Sequence, residues 1–248
     1  MSDPLIQVSG VSKSFGGVVA NHEISLEVPE GRITGLIGPN GSGKTTLFNC
    51  IVGYHPVDSG SIKLQNREIS KMRVQHIARL GMLRTFQQTR IYGNMNSVDN
   101  MLISVPHRRA VFSDMFKPYT GEHLERAEQL LEFVGLYRKR KLPAGELSFG
   151  QQKLLEFAMA LMNEPKILLL DEPTAGMGVD ESTRMINLLR SFKRKFTILL
   201  IEHDMDAVFA LADRITVLHS GQVLAIGTPD HIRANPTVRQ AYLGDTED

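Results

Sequence analysis

Hydrophobic residues in this chain fall into short runs, and the spacing inside each run separates strands from helices. Ile33–Ile37, Lys166–Leu170 and Phe196–Ile201 are almost wholly apolar and strand-sized, the texture of strands buried on both faces. Leu5–Val8 and Ile24–Val28 alternate apolar with polar, as half-buried strands do. Ser61–Leu64, Met82–Phe86, Arg214–Leu218 and Val223–Ile226 add further strands, the last two joined by a hairpin at Ser220-Gly221. Ser12–Gly17 reads as a turn carrying one aromatic, Phe15. Helical spacing predicts Thr46–Val52, Val74–Arg79, Ser97–Ile103 with Ser97 as its cap, Glu122–Val134, about Gly150–Met162, Asp180–Lys195 and Met205–Ala212. One more helix starts at Thr228-Pro229-Asp230, with proline in its first turn. Residues around 105 to 120 show no period and read as loop.

Strands alternate with helices at both ends of the chain, while residues from roughly 90 to 160 hold little strand pattern. The expected fold is α/β, with a helical subdomain inserted at roughly 89–160 into a core of roughly 1–88 and 161–248. The two alternating segments beside Ile33–Ile37 suggest a small antiparallel β subdomain.

The Ile33–Ile37 strand runs into Gly38-Pro39-Asn40-Gly41-Ser42-Gly43-Lys44-Thr45-Thr46. Gly38 to Thr45 matches the phosphate-binding loop G-x-x-x-x-G-K-[ST], and a strand before it and a helix after it supply the required context. Glycines at 38, 41 and 43 let the backbone turn its N–H groups onto an anion. The helix N-terminus adds a positive dipole end. Lys44 is expected to reach the β and γ phosphates, and the Thr45 hydroxyl to hold Mg²⁺.

Composition narrows the class. The 248 residues are 42% hydrophobic and 22% charged, ordinary globular material. A net charge of +1 supplies no field for nucleic acid or anionic lipid. A lone cysteine, Cys50, excludes an internal disulfide and suits a reducing compartment. Met-Ser-Asp-Pro at the start lacks the features of a signal peptide, and no apolar run approaches the roughly 20 residues of a membrane span. A membrane role is therefore expected to come through partners. The basic run Arg138–Lys141 reads as a solvated face.

Other candidates sit at strand ends, where α/β sheets bind ligands. Asp171 ends an apolar run and can hold Mg²⁺ directly or through water. Glu172 can accept a proton from a water attacking the γ phosphate. His203 can hydrogen-bond that phosphate or that water, and Gln87 can meet Mg²⁺ or the water. Leu147-Ser148-Phe149-Gly150-Gln151 opens a helix, with Ser148 and Gln151 spaced as a capping box. Spacing alone leaves it open whether this is a cap only or also an anion site.

The order of phosphate loop, Gln87, Leu-Ser-Phe-Gly-Gln, Leu-Leu-Leu-Asp-Glu and His203 resembles the nucleotide-binding subunit of ATP-binding-cassette (ABC) transporters, over nearly the whole chain. The resemblance implies a single cassette over 1–248 with a phosphate-loop NTPase core. It implies a head-to-tail dimer enclosing two ATP molecules, each between the phosphate loop of one subunit and Ser148 and Gly150 of the other. Phe15 falls where the family stacks an aromatic on adenine. Arg84-Thr85-Phe86-Gln87, Ile201-Glu202-His203-Asp204-Met205, Ile226-Gly227-Thr228-Pro229 and Ala241-Tyr242-Leu243-Gly244 are similar to the LivG-type ATPases. Those serve uptake of branched-chain and other hydrophobic amino acids; importers of urea and short amides and a lipopolysaccharide-export ATPase share part of the pattern. The implied partners are membrane-spanning permease subunits, a second ATPase subunit (identical or related) and an external solute-binding protein, at the cytoplasmic face of the cell membrane. A soluble ATPase acting on DNA or ribosomes fits poorly with one uninterrupted cassette and no basic excess. Two departures stand out. Phe149 occupies a place where many relatives have Gly. Gly178 occupies one where many carry an Asp or Asn that crosses the dimer interface.

Overall fold

In β3 (Ile33–Ile37) every residue is buried, and this strand lies in the interior of a mostly parallel sheet. The computed structural model describes residues 4–84, 91–105 and 120–243. β8 (Thr197–Ile201) and β9 (Arg214–His219) pair parallel to β3 on either side. β7 (Ile167–Asp171) and β6 (Met82–Arg84) extend the sheet beyond β8, and β10 (Gln222–Gly227) closes the other edge antiparallel to β9. The continuous apolar runs follow from this placement, because β3, β7 and β8 are covered on both faces. On one face α1 (Lys44–Ile51) buries Leu47, Phe48 and Ile51 among Leu36, Leu169 and Leu199. On the other, Val208 of α7 (Met205–Leu211), Ile232 of α8 (Pro229–Ala234) and Val238 of α9 (Pro236–Leu243) pack with Ile37, Ile215 and Val217.

A second sheet, ordered β2-β1-β4-β5, is antiparallel: β1 (Pro4–Phe15), β2 (Val18–Pro29), β4 (Ser59–Leu64) and β5 (Arg67–Glu68). The first two strands are much longer than their alternating cores predict, and the turn expected at Ser12–Gly17 shrinks to Gly16-Gly17. Register shifts between Val8 and Val11 and again before Phe15 throw the alternation out of phase, so the periodicity hides the strand. α2 (Val74–Arg79) has its expected bounds.

The described residues group into two compact units: Met1–Arg84, Lys166–Glu172 and Leu189–Asp248 form the first, Thr85–Pro165 and Pro173–Leu188 the second. The first holds both sheets. The second holds α3 (Ser97–Ile103), α4 (Gly121–Phe133) and α5 (Phe149–Leu161), together with most of α6 (Val179–Ser191). Ser97 does not cap α3. Asn96 does, its Oδ1 accepting from the Asp99 N–H at 2.9 Å, while Ser97 is buried inside the first turn. The helix expected to reach Lys195 stops at Ser191, since Arg194 turns into the left-handed region (φ 69°) and donates its N–H to the Gly31 carbonyl. α9 was not predicted, although Asn235-Pro236 is a good helix start: Asn235 Oδ1 accepts from the Thr237 and Val238 N–H groups. Among the described residues no helix is long and apolar enough to cross a membrane.

Candidate active site

β3 delivers the chain to Gly38, and α1 starts at Lys44. Between them the loop is forced tight. Gly43 sits at φ 96°, and a Cβ there would lie 2.4 Å from the Ala20 carbonyl oxygen and from Asn21 Nδ2. A Cβ on Gly38 would lie 2.1 Å from the Leu218 carbonyl oxygen. Asn21 is wholly buried and donates to the Gly43 carbonyl at 3.1 Å, which braces the turn into α1. Pro39, Asn40, Gly41 and Ser42 form the bend, with the Ser42 N–H donating to Pro39 O at 3.2 Å. Thr45 and Thr46 lie in the first turn of α1, and Thr45 is exposed. Lys44 is buried and donates Nζ to the carbonyls of Gly38 at 2.7 Å and Pro39 at 2.8 Å. Burial pulls its pKa down, while the Glu172 and Asp171 charges pull the other way, which places all three groups in one electrostatic neighbourhood.

Asp171 ends β7 and is almost completely buried. Its Oδ2 accepts from Arg84 Nη2 at 2.6 Å, and its buried Oδ1 has no hydrogen-bond partner among the described residues. Glu172 follows in the left-handed region (φ 50°), its N–H donating to Ile201 O at 2.9 Å. That conformation is uncommon for a side chain of this size and swings Glu172 away from the line of β7. Glu172 Oε1 lies 2.8 Å from Nε2 of His203, which follows β8. Phe15 ends β1 and is 43% exposed, edge-on to His55 at 5.1 Å with Lys13 Nζ 5.3 Å from its ring. Gln87 lies outside the described residues.

In the second unit, Ser148 caps α5 and the capping box is complete. Ser148 Oγ accepts from the Gln151 N–H at 3.2 Å, and Gln151 Oε1 accepts from the Ser148 N–H at 3.3 Å. Gln151 Oε1 also takes a hydrogen bond from Lys139 Nζ at 3.0 Å. Ser148 Oγ donates in turn to Glu181 Oε1. The Glu181 carboxylate also lies against Gly150: a Cβ there would lie 1.9 Å from Glu181 Oε2. Phe149 is turned outward, 46% exposed, with Lys153 Nζ 5.4 Å from its ring. Gly178 has room for a side chain, since among the described residues a Cβ would meet only Glu181 Oε2 at 3.8 Å. In the basic run, Arg140 is held by Glu128 at 3.1 Å, while Arg138, Lys139 and Lys141 face solvent.

Three residues around these candidates take no role from sequence spacing: Asn21 behind the loop, Arg84 against Asp171, and Glu181 over the start of α5. Arg84 opens the Arg84–Gln87 stretch that resembles LivG-type ATPases, but its contacts, like those of Asn21 and Glu181, are set only by the fold.

A family profile described as ABC transporter matches residues 21–175. The chain belongs to the ABC transporter ATP-binding family. A second profile, described as branched-chain amino acid ATP-binding cassette transporter, matches this cassette over residues 222–248. Among curated relatives, the chain is 41% identical to the high-affinity branched-chain amino acid transport ATP-binding protein LivG of Salmonella typhimurium, covering 99% of this chain and 100% of the relative. It is equally similar, at 41% over 99% and 100%, to BraF of Pseudomonas aeruginosa. Among solved structures, the crystal structure of an ATP-binding cassette in its ADP conformation superposes with a TM-score of 0.86 at 33% identity, over 98% of this chain and 100% of that one. A nucleotide-free cassette superposes at 0.84 with 32% identity, over 96% and 98%. The cassette is thus an α/β ATPase fold with an antiparallel sheet beside the phosphate-loop sheet, as the sequence predicts.

Proposed function

We propose that this chain is the ATP-hydrolysing subunit of a membrane importer for branched-chain or other hydrophobic amino acids. Identity of 41% to LivG and BraF over essentially full length carries the reading. In this reading a nucleotide-binding core of roughly 1–88 and 161–248 and a helical subdomain of roughly 89–160 work as one cassette. The phosphate loop receives ATP: backbone N–H groups between Gly38 and Thr46 meet the phosphates, and Lys44 exchanges two loop carbonyls for phosphate oxygens. Phe15, exposed at the end of β1, offers a face for adenine, worth roughly 0.5–1.5 kcal/mol.

The residues present suit Mg²⁺, because Asp171 Oδ1 is a buried oxygen with no partner among the described residues and the Thr45 hydroxyl is open. Thr45, Asp171 and Gln87 would hold the ion with phosphate oxygens and water, the usual mixed shell of Mg²⁺. It would neutralise phosphate charge. Glu172 accepts the proton of the attacking water, and His203 orients that carboxylate through the 2.8 Å contact. Ser148, Gly150 and Gln151 present the start of α5 to the ATP held by a second subunit, identical or related. Closure follows because those contacts exist only in the ATP-bound dimer. The partners are permease subunits, which hold the chain at the cytoplasmic face of the membrane, and an external solute-binding protein on the opposite side.

Deleting the gene and measuring entry of labelled leucine, isoleucine and valine tests this. Uptake should fall and return with the parent chain but not with Lys44→Ala. Unchanged uptake of all three would overturn the substrate assignment.

A further inference from the structure

Arg84 is the last residue of β6, and its guanidinium reaches two other elements of the nucleotide-binding core. Nη1 donates to Asn49 Oδ1 and Nη2 to Asp171 Oδ2, the latter at 2.6 Å. The group also lies 5.7 Å from the Phe48 ring and 5.9 Å from the Tyr54 ring. The arginine side chain is 11% exposed and that of Asp171 1%. Burying such a pair costs desolvation that only good geometry and further hydrogen bonds offset, so the pair is weak evidence of a stabilising role. Asn49 lies on α1 one turn after Thr45, on the same face of that helix. One planar fork therefore joins the helix that carries Thr45 to the carboxylate at the end of β7. A lysine ammonium lacks the fixed fork that spans two acceptors in one plane.

The consequence for Asp171 is directional. With Oδ2 committed to Arg84, the carboxylate cannot rotate freely, and Oδ1 is left buried with no partner among the described residues. We propose that Arg84 is a positioning residue for the Mg²⁺–nucleotide complex: it holds Asp171 by one oxygen so that the other is presented to the metal, and holds α1 by Asn49 so that Thr45 keeps its place. This rests on the Mg²⁺-ATP reading of the site. Arg84 does not touch the nucleotide; it acts through its two neighbours. A competing physical effect has the opposite sign, since a guanidinium beside a cation site repels the cation. If repulsion dominated, removing Arg84 would tighten metal binding.

The test uses Arg84→Gln and Arg84→Lys in the full chain, with Mn²⁺ as the metal probe. Electron paramagnetic resonance reports Mn²⁺ bound to the ADP-loaded protein, and a fluorescent ADP analogue in excess chelator reports metal-free nucleotide binding. Groups that orient a metal ligand typically change metal affinity ~10- to 100-fold, so both variants should weaken Mn²⁺ binding by about that factor and leave metal-free nucleotide binding within about twofold. A merely structural role would lower both affinities together. Unchanged or tighter Mn²⁺ binding in a folded variant would overturn the proposal. Should Arg84→Gln not fold, Arg84→Lys, which keeps the charge, carries the test. A parent chain that binds the ADP analogue with no response to Mn²⁺ would overturn the Mg²⁺-ATP reading itself, and Arg84's role with it.

Discussion

Replacing Glu172 with glutamine separates catalysis from stability sharply. The side chain is 22% exposed and its partner His203 47%, so the contact between them is screened by water. Exposed pairs of this kind contribute about 0–1 kcal/mol. Glutamine keeps the size and can still bond His203, so the folded state should lose no more than about 1 kcal/mol. What glutamine cannot do is accept the proton of an attacking water. General-base catalysis is worth about 10²–10⁴ in rate, which is roughly 2.7–5.4 kcal/mol on the barrier. The variant should therefore melt near the parent, bind Mg-ATP, release phosphate at least ~100-fold more slowly, and accumulate as a dimer by light scattering. Phosphate release within about tenfold of the parent would refute the role given to Glu172.

His203→Ala removes the group that orients Glu172; displaced catalytic geometry of this order costs up to about 100-fold in turnover, and normal turnover would remove His203 from the mechanism. Gly43→Ala forces a Cβ to 2.4 Å from the Ala20 carbonyl oxygen at φ 96°, so calorimetric titration should find ADP binding lost. Burial pushes the Cys50 thiol from 9.0 up to about 11. Because the folded value is the higher one, the stabilisation is complete below pH 9 and fades as pH rises toward 11. Cys50→Ala should flatten that part of the urea-midpoint profile, and an unaltered slope would contradict it.

Local chemistry made much of the site legible. The phosphate loop, the Ser148–Gln151 box and the Asp171-Glu172 pair each sit within a few consecutive residues, and their strand and helix flanks announce themselves by period. The parallel strands were legible for a similar reason: strands covered on both faces are mostly apolar, with few polar residues such as Thr34 and Thr197 among them. The full lengths of the bulged β1 and β2 were not, although Leu5–Val8 and Ile24–Val28 lie within them, because each register shift resets the alternation. Nor was the cap of α3, where Asn96 and Ser97 are both competent and only packing decides. The contacts of Arg84 and Glu181 stayed hidden for a different reason. Arg84 meets Asn49 and Asp171 across 35 and 87 residues of chain, and Glu181 meets Ser148 across 33. No spacing encodes such contacts.

Most direct for the central claim is isolation of the tagged chain from its native membranes in mild detergent, with the retained proteins identified by mass spectrometry. Recovery with multi-spanning permease subunits and a second small ATPase is the predicted result, and a co-purified external binding protein would name the solute. Recovery with ribosomal, DNA-bound or lipid-export components instead would contradict the importer assignment.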